Sequence, residues 1–458
     1  MRLTELLLKA GIVGCGGAGF PTHVKYNAEN IEWIIVNGAE CEPLLMTDHY
    51  LMREKADALI EAAEYLLRET GAKRFTIALK ETYRAEIAAL TAAVKKAGSK
   101  VELYLMPSFF PAGDEVTMVY EVTGRVVPPG GIPMAAGCVV SNVATVYCVY
   151  NALHGHAFTQ KYLTVTGEVR EPSVLRVPLG TPVSECIRMA GGTLLKDYVV
   201  VNGGPMMGKL MTKAEADAAF VTKTMSGLIV LPPENAIGVR AQVPVQHMLN
   251  RAKSACIQCS FCTQLCPRNL LGHPIAPHRI MRKMGTCTDI SLMLDDPDIR
   301  NASFCCECGI CEVYACPMGL QPRRVNSLLK RELGKAGIRN KAPEKTWEAL
   351  PEREVRRAPT HRVAARAGVA KYEGLRFGEL KVLKPEEASS VTLSLHQGIG
   401  KDSVPCVKTG DHVDWGQVIA EVPEKALGSM LHASISGTVR VTEQAVQITA
   451  DRQGKGAR

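Results

Sequence analysis

Two cysteine runs constrain this chain more than any other feature. The first places Cys256, Cys259, Cys262 and Cys266 in C-I-Q-C-S-F-C-T-Q-L-C-P. The second places Cys305, Cys308, Cys311 and Cys316 in C-C-E-C-G-I-C-E-V-Y-A-C-P, with one extra residue before its last cysteine. The C-x2-C-x2-C-x3-C-P spacing of the first run is that of thiolates shared between two [4Fe-4S] clusters. Three thiolates in two-residue steps wrap three irons of one cubane, and the fourth, held off by proline, reaches the other. The spacing therefore assigns Cys256, Cys259, Cys262 and Cys316 to one cluster, and Cys305, Cys308, Cys311 and Cys266 to the second. Structural zinc is the weaker reading, because paired C-x2-C motifs use neither a third cysteine in step nor a trailing Cys-Pro. Cys306 adjoins Cys305. The spacing selects Cys305, and which of the two holds iron stays open at this point. His273 and His278 lie nearby, but eight cysteines already fill the ligand positions.

The bulk properties set the surroundings. At 458 residues the chain has room for about three domains of roughly 150 residues each. Sixteen cysteines, half of them in the two runs, fit a reducing cytoplasm better than a disulfide framework. No apolar run is long enough for a transmembrane helix. The opening M-R-L-T-E-L-L-L-K-A-G has too short an apolar core for a signal peptide. The net charge of +8 draws much of its excess from one stretch, residues 336–370, so it is not a nucleic-acid footprint. Cys15, Cys41, Cys138, Cys148 and Cys186 lack ligand spacing and read as small buried residues.

Upstream, G-C-G-G-A-G-F-P-T-H-V-K contains G-x-G-x-x-G at Gly14, Gly16 and Gly19. Glycines let backbone N–H groups approach a phosphate closely, although the motif alone is weak and lacks a clear preceding strand. The segment E-W-I-I-V-N-G-A-E-C-E-P, residues 32–43, reads as a buried strand with Asn37, Glu40 and Glu42 at its carboxyl end. Ligands of open α/β sheets bind there. Apolar spacing predicts helices over 56–70 and 85–97, with strands over 75–79 and 101–105. The alternation predicts an α/β domain with a parallel sheet. Residues 162–187 read as two strands and a helix, and residues 199–208 as a strand and turn.

These motifs together resemble the flavin-binding 51 kDa subunit of respiratory complex I, and more closely the RnfC subunit of the Rnf electron-transport complex. The resemblance implies an FMN site made by Gly14, Gly16, Gly17, Gly19, Phe20 and Lys25. It also implies Asn37, Glu40 and Glu42 beside the flavin and nicotinamide, Gly113, Asp114 and Glu115 from F-P-A-G-D-E, and Asn142 and Thr145 from V-S-N-V-A-T. The chain departs from the complex I pattern at Ala39, where that family has an acid. No nucleophile, general base or metal-activated water is implied.

The order of parts is then legible. Residues 1–158 are expected to form a Rossmann-like FMN- and NADH-binding α/β domain. Residues 159–238 resemble an SLBB β-grasp module, and 239–335 a helical ferredoxin-like dicluster module. Residues 336–372, rich in Lys, Arg, Glu, Pro and Ala, read as an exposed linker with limited helix. Residues 373–452 resemble a barrel-sandwich hybrid of the lipoyl type, like that of the RnfC subunit. Its C-terminal position resembles the microcompartment cobalamin-reductase family. NADH gives up two electrons together, a cluster accepts one at a time, and flavin converts between them. The chain is therefore expected to pass electrons from NADH through FMN and two [4Fe-4S] clusters to a corrinoid or protein acceptor. Cobalamin would be the substrate, and microcompartment shell or enzyme partners are implied by resemblance. The alternatives are a peripheral subunit of an Rnf-type membrane complex and a non-catalytic relay without an NADH site.

Overall fold

The structure, a computed structural model, describes residues 1–451. Its first sheet is built from β1 (Trp33–Asn37), β2 (Arg74–Lys80), β3 (Glu102–Met106) and β4 (Cys138–Asn142). All four strands are parallel, in the order β3-β2-β1-β4. The run W-I-I-V is buried throughout β1, as expected of a strand covered on both faces. Helices α1 (Ala56–Thr70) and α2 (Arg84–Ala97) each stop at a glycine in the left-handed conformation, Gly71 and Gly98. Helix α1 buries Leu59, Ile60, Ala62, Ala63 and Leu66. Helices α3 (Glu115–Thr123) and α4 (Val143–Leu153) follow.

The strand order decides where a ligand belongs. The chain runs outward from β1 through β2 to β3, then returns to lay β4 on the other flank of β1. The carboxyl ends of β1 and β4 thus meet at a topological switch point, where open α/β sheets take their ligands. Asn37 and Asn142 are register partners there.

The second sheet contains β5 (Gln160–Gly167), β6 (Ser173–Pro178), β7 (Val199–Asn202), β8 (Lys209–Thr212) and β9 (Gly227–Leu231). Its order is β6-β5-β9-β7-β8, with Lys381–Val382 added beside β6. Helix α5 (Val183–Met189) follows β6. Where β5 meets β9, Gly167 has φ +89°, and a Cβ there would lie 2.2 Å from the Val230 carbonyl oxygen.

The cysteine runs sit among α6 (Val245–Ala255), α7 (Pro277–Thr286) and α8 (Pro322–Lys335). These enclose a core that includes Met248, Ala252, Ile280, Met281, Val325 and Leu329. The C-terminal module has two antiparallel sheets. One contains Ser390–Ser394, Ala445–Thr449, Gly437–Val441 and His412–Val413. The other contains Val404–Pro405, Val418–Glu421 and Leu431–His432.

The expectation of an exposed linker over 336–372 needs correction. Ala358–Pro359 pairs with Phe109–Phe110 of the first domain. Helix α9 (Thr360–Ala367) buries Val363, Ala364 and Ala367 in a core shared with Ile229, Leu231 and Ile310. Arg353 is only 4% exposed and is ion-paired with Glu121. The charge density of the stretch hid a three-residue apolar stripe at helical spacing.

Lys223 ties the modules together. Its side chain is fully buried, and its Nζ donates to Gly11 O, Ser429 Oγ and Met430 O at 2.7–2.8 Å. One ammonium therefore joins the first domain, the β module and the C-terminal sandwich. Burial pulls its pKa down to about 7.

Candidate functional site

A cavity of about 540 Å³ opens at the switch point. That is a normal size for a cofactor site. Of the candidate residues, Gly14, Gly16, Gly19, Phe20, Lys25, Asn37, Gly113, Glu115, Asn142 and Thr145 line it. Asn142 caps α4, its side chain accepting from the Ala144 N–H at 2.9 Å. The positive end of α4 is therefore turned to the cavity, as an anion such as a flavin phosphate requires. A Cβ at Gly16 would lie 3.4 Å from Asn142 Cβ, narrowing the space between the glycine loop and the helix end. These features fit FMN.

Lys25 and Glu115 line the same cavity. Lys25 Nζ donates to Val140 O at 2.8 Å. Burial pulls the Lys25 ammonium down, and the Glu115 charge opposes it. Burial pushes the Glu115 carboxyl up, and Lys25 opposes that. Asn37 is fixed by donating to Gly113 O at 2.8 Å and accepting from the Ala39 N–H at 3.1 Å. Ala39 is fully buried and does not line the cavity.

Four residues of the expected set are placed elsewhere. Gly17 does not line the cavity; it has φ +123° and nothing within 4 Å of a built Cβ. Glu40 lies off the cavity, its backbone carbonyl accepting from Tyr83 Oη at 3.2 Å. Glu42 accepts from the Met206 N–H at 2.9 Å. A Cβ on Gly204 would lie 2.1 Å from Glu42 Oε2, so the Gly203-Gly204 turn is shaped to this carboxyl. Asp114 caps α3, accepting from the Thr117 N–H at 2.9 Å, and is clamped by both terminal nitrogens of Arg268. The cause is common to Glu42 and Asp114. Acids beside a ligand site face whatever packs there, and here another module supplies their partners. One residue that the sequence did not signal, Ile399 of the C-terminal module, also lines the cavity. Its N–H donates to Gly19 O at 3.2 Å, and a Cβ on Gly19 would lie 2.7 Å from Gly398 Cα.

Burial pushes the Glu42 carboxyl up to about 7, from an ordinary 4.5. The folded state therefore holds this proton through a range where the unfolded chain releases it. The contribution is fully present below about pH 4.5 and is lost as pH rises through about 7. Glu42→Gln should match the parent near pH 5 and exceed it near pH 8 by ~2–3 kcal/mol, measured by denaturant titration.

The two cysteine loops share one backbone. Gln258, two residues after Cys256, has φ +56°, and Ser260, directly after Cys259, has φ +62°. Glu307, two residues after Cys305, has φ +58°, and Gly309, directly after Cys308, has φ +80°. The left-handed positions match only if Cys305 is the counterpart of Cys256, which leaves Cys306 as the counterpart of Ile257. The Glu307 N–H points at Cys305 Sγ, 3.4 Å away, as the Leu320 N–H does at Cys316 Sγ. The extra residue of the second run is absorbed by a π-helical turn over Cys311–Ala315.

Cys256, Cys259, Cys262 and Cys316 line one small pocket. Cys266 comes from the first run but lies near Cys305 and Cys306 of the second. The structure thus brings the thiols together in the crossed arrangement. Among the described residues, no three Cys, His, Asp or Glu side chains converge as a single ion would require. His273 Nε2 lies 2.8 Å from Val127 O; His278 borders the pocket of Cys256, Cys259, Cys262 and Cys316, with its Nδ1 held 2.7 Å from Thr263 Oγ1.

Family models match along the chain in the same order. They are the Nuo51 FMN-binding domain at residues 7–151, the SLBB domain at 162–210, the 4Fe-4S dicluster domain at 255–321 and the RnfC barrel sandwich hybrid domain at 367–454. The cobalamin reductase PduS of Citrobacter freundii is 39% identical over 97% of this chain and 96% of its own length. The chain belongs to the PduS family. The Salmonella typhimurium member is 38% identical over 98% of this chain and 96% of its own length. One subunit of the Na(+)-translocating ferredoxin:NAD(+) oxidoreductase complex of Acetobacterium woodii is 32% identical, over 64% of this chain and 63% of its own. Relative to that subunit, the PduS family match extends through nearly the whole chain. The chain is a multidomain α/β protein that combines an FMN-binding domain, an SLBB domain, a 4Fe-4S dicluster domain and a barrel-sandwich domain. No helix of the described residues is long and apolar enough to cross a membrane.

Proposed function

We propose that this chain is a cobalamin reductase that takes electrons from NADH and delivers them singly to a corrinoid. The full-length similarity to the PduS reductases carries the reading. Bound FMN supplies the conversion between a two-electron donor and one-electron carriers. The chain's own residues hold it. Gly14, Gly16, Gly19 and the amino end of α4 would take its phosphate, while Lys25, Asn37 and Glu115 border its ring.

The layout supports an order of transfer. Gly113 and Glu115 touch the flavin cavity, and Asp114 between them holds Arg268. Arg268 lies two residues after Cys266, so the cluster of Cys266, Cys305, Cys308 and Cys311 stands next to the flavin. The cluster of Cys256, Cys259, Cys262 and Cys316 lies nearer the surface. Around it Ile257, Phe261 and Met318 are exposed at 59%, 45% and 38%. That apolar rim is the exit toward the acceptor. A cytoplasmic location within a microcompartment belongs to the same reading and rests on the family alone.

Anaerobic NADH titration of reconstituted protein tests the donor side. Bleaching of both flavin and cluster absorbance, followed by reoxidation with cob(III)alamin, is expected. Flavin and clusters that stay oxidised under NADH would reduce the chain to a relay fed by another protein. Lys25→Ala should weaken FMN binding about tenfold or more, as expected for loss of a charge-assisted contact, read by fluorescence titration of the apoprotein.

A further inference from the structure

A second cavity, of about 230 Å³, lies where three modules meet. Helix α4 contributes Tyr147, Cys148 and Asn151, strands β5 and β6 contribute Lys161, Tyr162 and Arg176, and the C-terminal module contributes Trp415. It adjoins the flavin cavity through Ala144 at the amino end of α4 and Cys15 of the glycine loop, but shares no lining residue with it. The flavin reading makes no use of it.

Its chemistry is one-sided. Lys161 and Arg176 line the cavity, and no Asp or Glu does. Lys161 is only 3% exposed, and its ammonium sits beside the Cys15 thiol and 5.8 Å from the Phe158 ring centroid, with no carboxylate within 4 Å among the described residues. Asp48, the acid whose charge it feels, instead accepts a 2.6 Å hydrogen bond from Asn142. The Tyr162 hydroxyl and Arg176 Nε are buried without a hydrogen-bond partner. Two orphaned donors around an acid-free space cost stability unless something completes them. The walls also carry flat rings. Tyr147 meets Tyr162 edge-on at 5.6 Å, and at the rim His156 lies 5.9 Å from Trp415.

We propose that this cavity binds a small organic anion, a phosphate or carboxylate carried on a single planar ring. Lys161, Arg176 and the Tyr162 hydroxyl hold the anionic group, and the ring lies among Tyr147, His156 and Trp415. At 230 Å³ the space takes about eight water volumes, too few for a dinucleotide or a corrinoid. Because the walls come from three modules, an occupant would also brace the junction that Lys223 clamps.

The test is calorimetric titration of the full chain, saturated with FMN so that the flavin site is filled. Phenyl phosphate and benzoate are the probes, which separate phosphate from carboxylate. Inorganic phosphate and phenol are the controls for ring and charge. One of the two aryl anions should bind one per chain, and both controls should bind at least about tenfold more weakly. Lys161→Met should weaken the aryl anion by about tenfold or more, and Tyr162→Phe, which keeps the ring, by several-fold. Trp415→Ala at the exposed rim should weaken it too, and serves if Lys161→Met does not fold. Failure of both aryl anions to bind, or equal binding by the folded variants, overturns the proposal. So does inorganic phosphate binding as tightly as phenyl phosphate. None of these outcomes depends on NADH oxidation or corrinoid reduction, so the two readings fail separately.

Discussion

Cys305→Ser should lower the iron content of the reconstituted protein from about eight to about four per chain, while Cys306→Ser leaves it near eight. Sequence spacing favours Cys305, and the backbone supplies a second argument. Left-handed residues at 258 and 260 recur at 307 and 309, and the repeat holds only in the register that aligns Cys305 with Cys256. Three of the four, Gln258, Ser260 and Glu307, carry a strain that non-glycine residues avoid unless the loop demands it. The demand is geometric, since successive N–H groups must turn inward around one cubane. Iron assay and electron paramagnetic resonance of the dithionite-reduced variants check the prediction. The Cys305→Ser spectrum should retain the cluster of Cys256, Cys259, Cys262 and Cys316 and lose the coupling between two reduced clusters. NADH should still bleach its flavin, and corrinoid reduction should fall to background. Equal iron loss in both variants would show that the register assignment is wrong.

How far this could be read in advance depends on the range of each interaction. Local patterns were sufficient for the spacing of the cysteine runs, the helices over 56–70 and 85–97, and the strand ending at Asn37. The strand-end rule placed Asn37 at a ligand site, whereas Asn142 was reached only through the family resemblance, and the strand that carries it beside Asn37 was not read. Partners supplied across modules were not legible. Nothing near Asp114 in sequence announces Arg268, 154 residues away, nor does anything near Glu42 announce Met206. An acid next to a glycine turn therefore read as part of the flavin site when it serves the packing of neighbouring domains. The stretch 358–367 failed for a different reason. The charged residues around it set the reading as a linker, but Arg362 and Arg366 lie on the outer face of a helix whose Val363, Ala364 and Ala367 are fully buried. The lining of the second cavity was invisible because Lys161 sits in a strand where alternation assigns half the residues to solvent, whereas β5 is buried on both faces.

Arg268→Met should destabilise the chain by ~3–5 kcal/mol and slow electron transfer from flavin to the clusters while leaving FMN affinity within a few-fold of the parent. The pair it breaks is nearly dry, with side chains 10% and 14% exposed. Burial alone would raise the Asp114 carboxyl, but the Arg268 guanidinium and Thr117 overcome it and hold the group below its ordinary value. Removing the guanidinium leaves a buried carboxylate with only its capping bonds, which is the costly case, whereas replacing both partners is mild. The double variant Asp114→Asn, Arg268→Met should therefore recover much of the lost stability, because the amide still caps α3 and no charge is stranded. It should not recover the transfer rate. The bidentate pair is rigid and joins a loop that touches the flavin cavity to the turn that carries Cys266, so it fixes the separation over which an electron must pass. Denaturant titration reads the first quantity, and stopped-flow bleaching of the cluster bands after NADH mixing reads the second. Recovery of stability together with the rate would mean that the pair serves folding alone. A slow rate in a well-folded double variant would identify Asp114 and Arg268 as positioning residues for the step between the flavin and the cluster of Cys266.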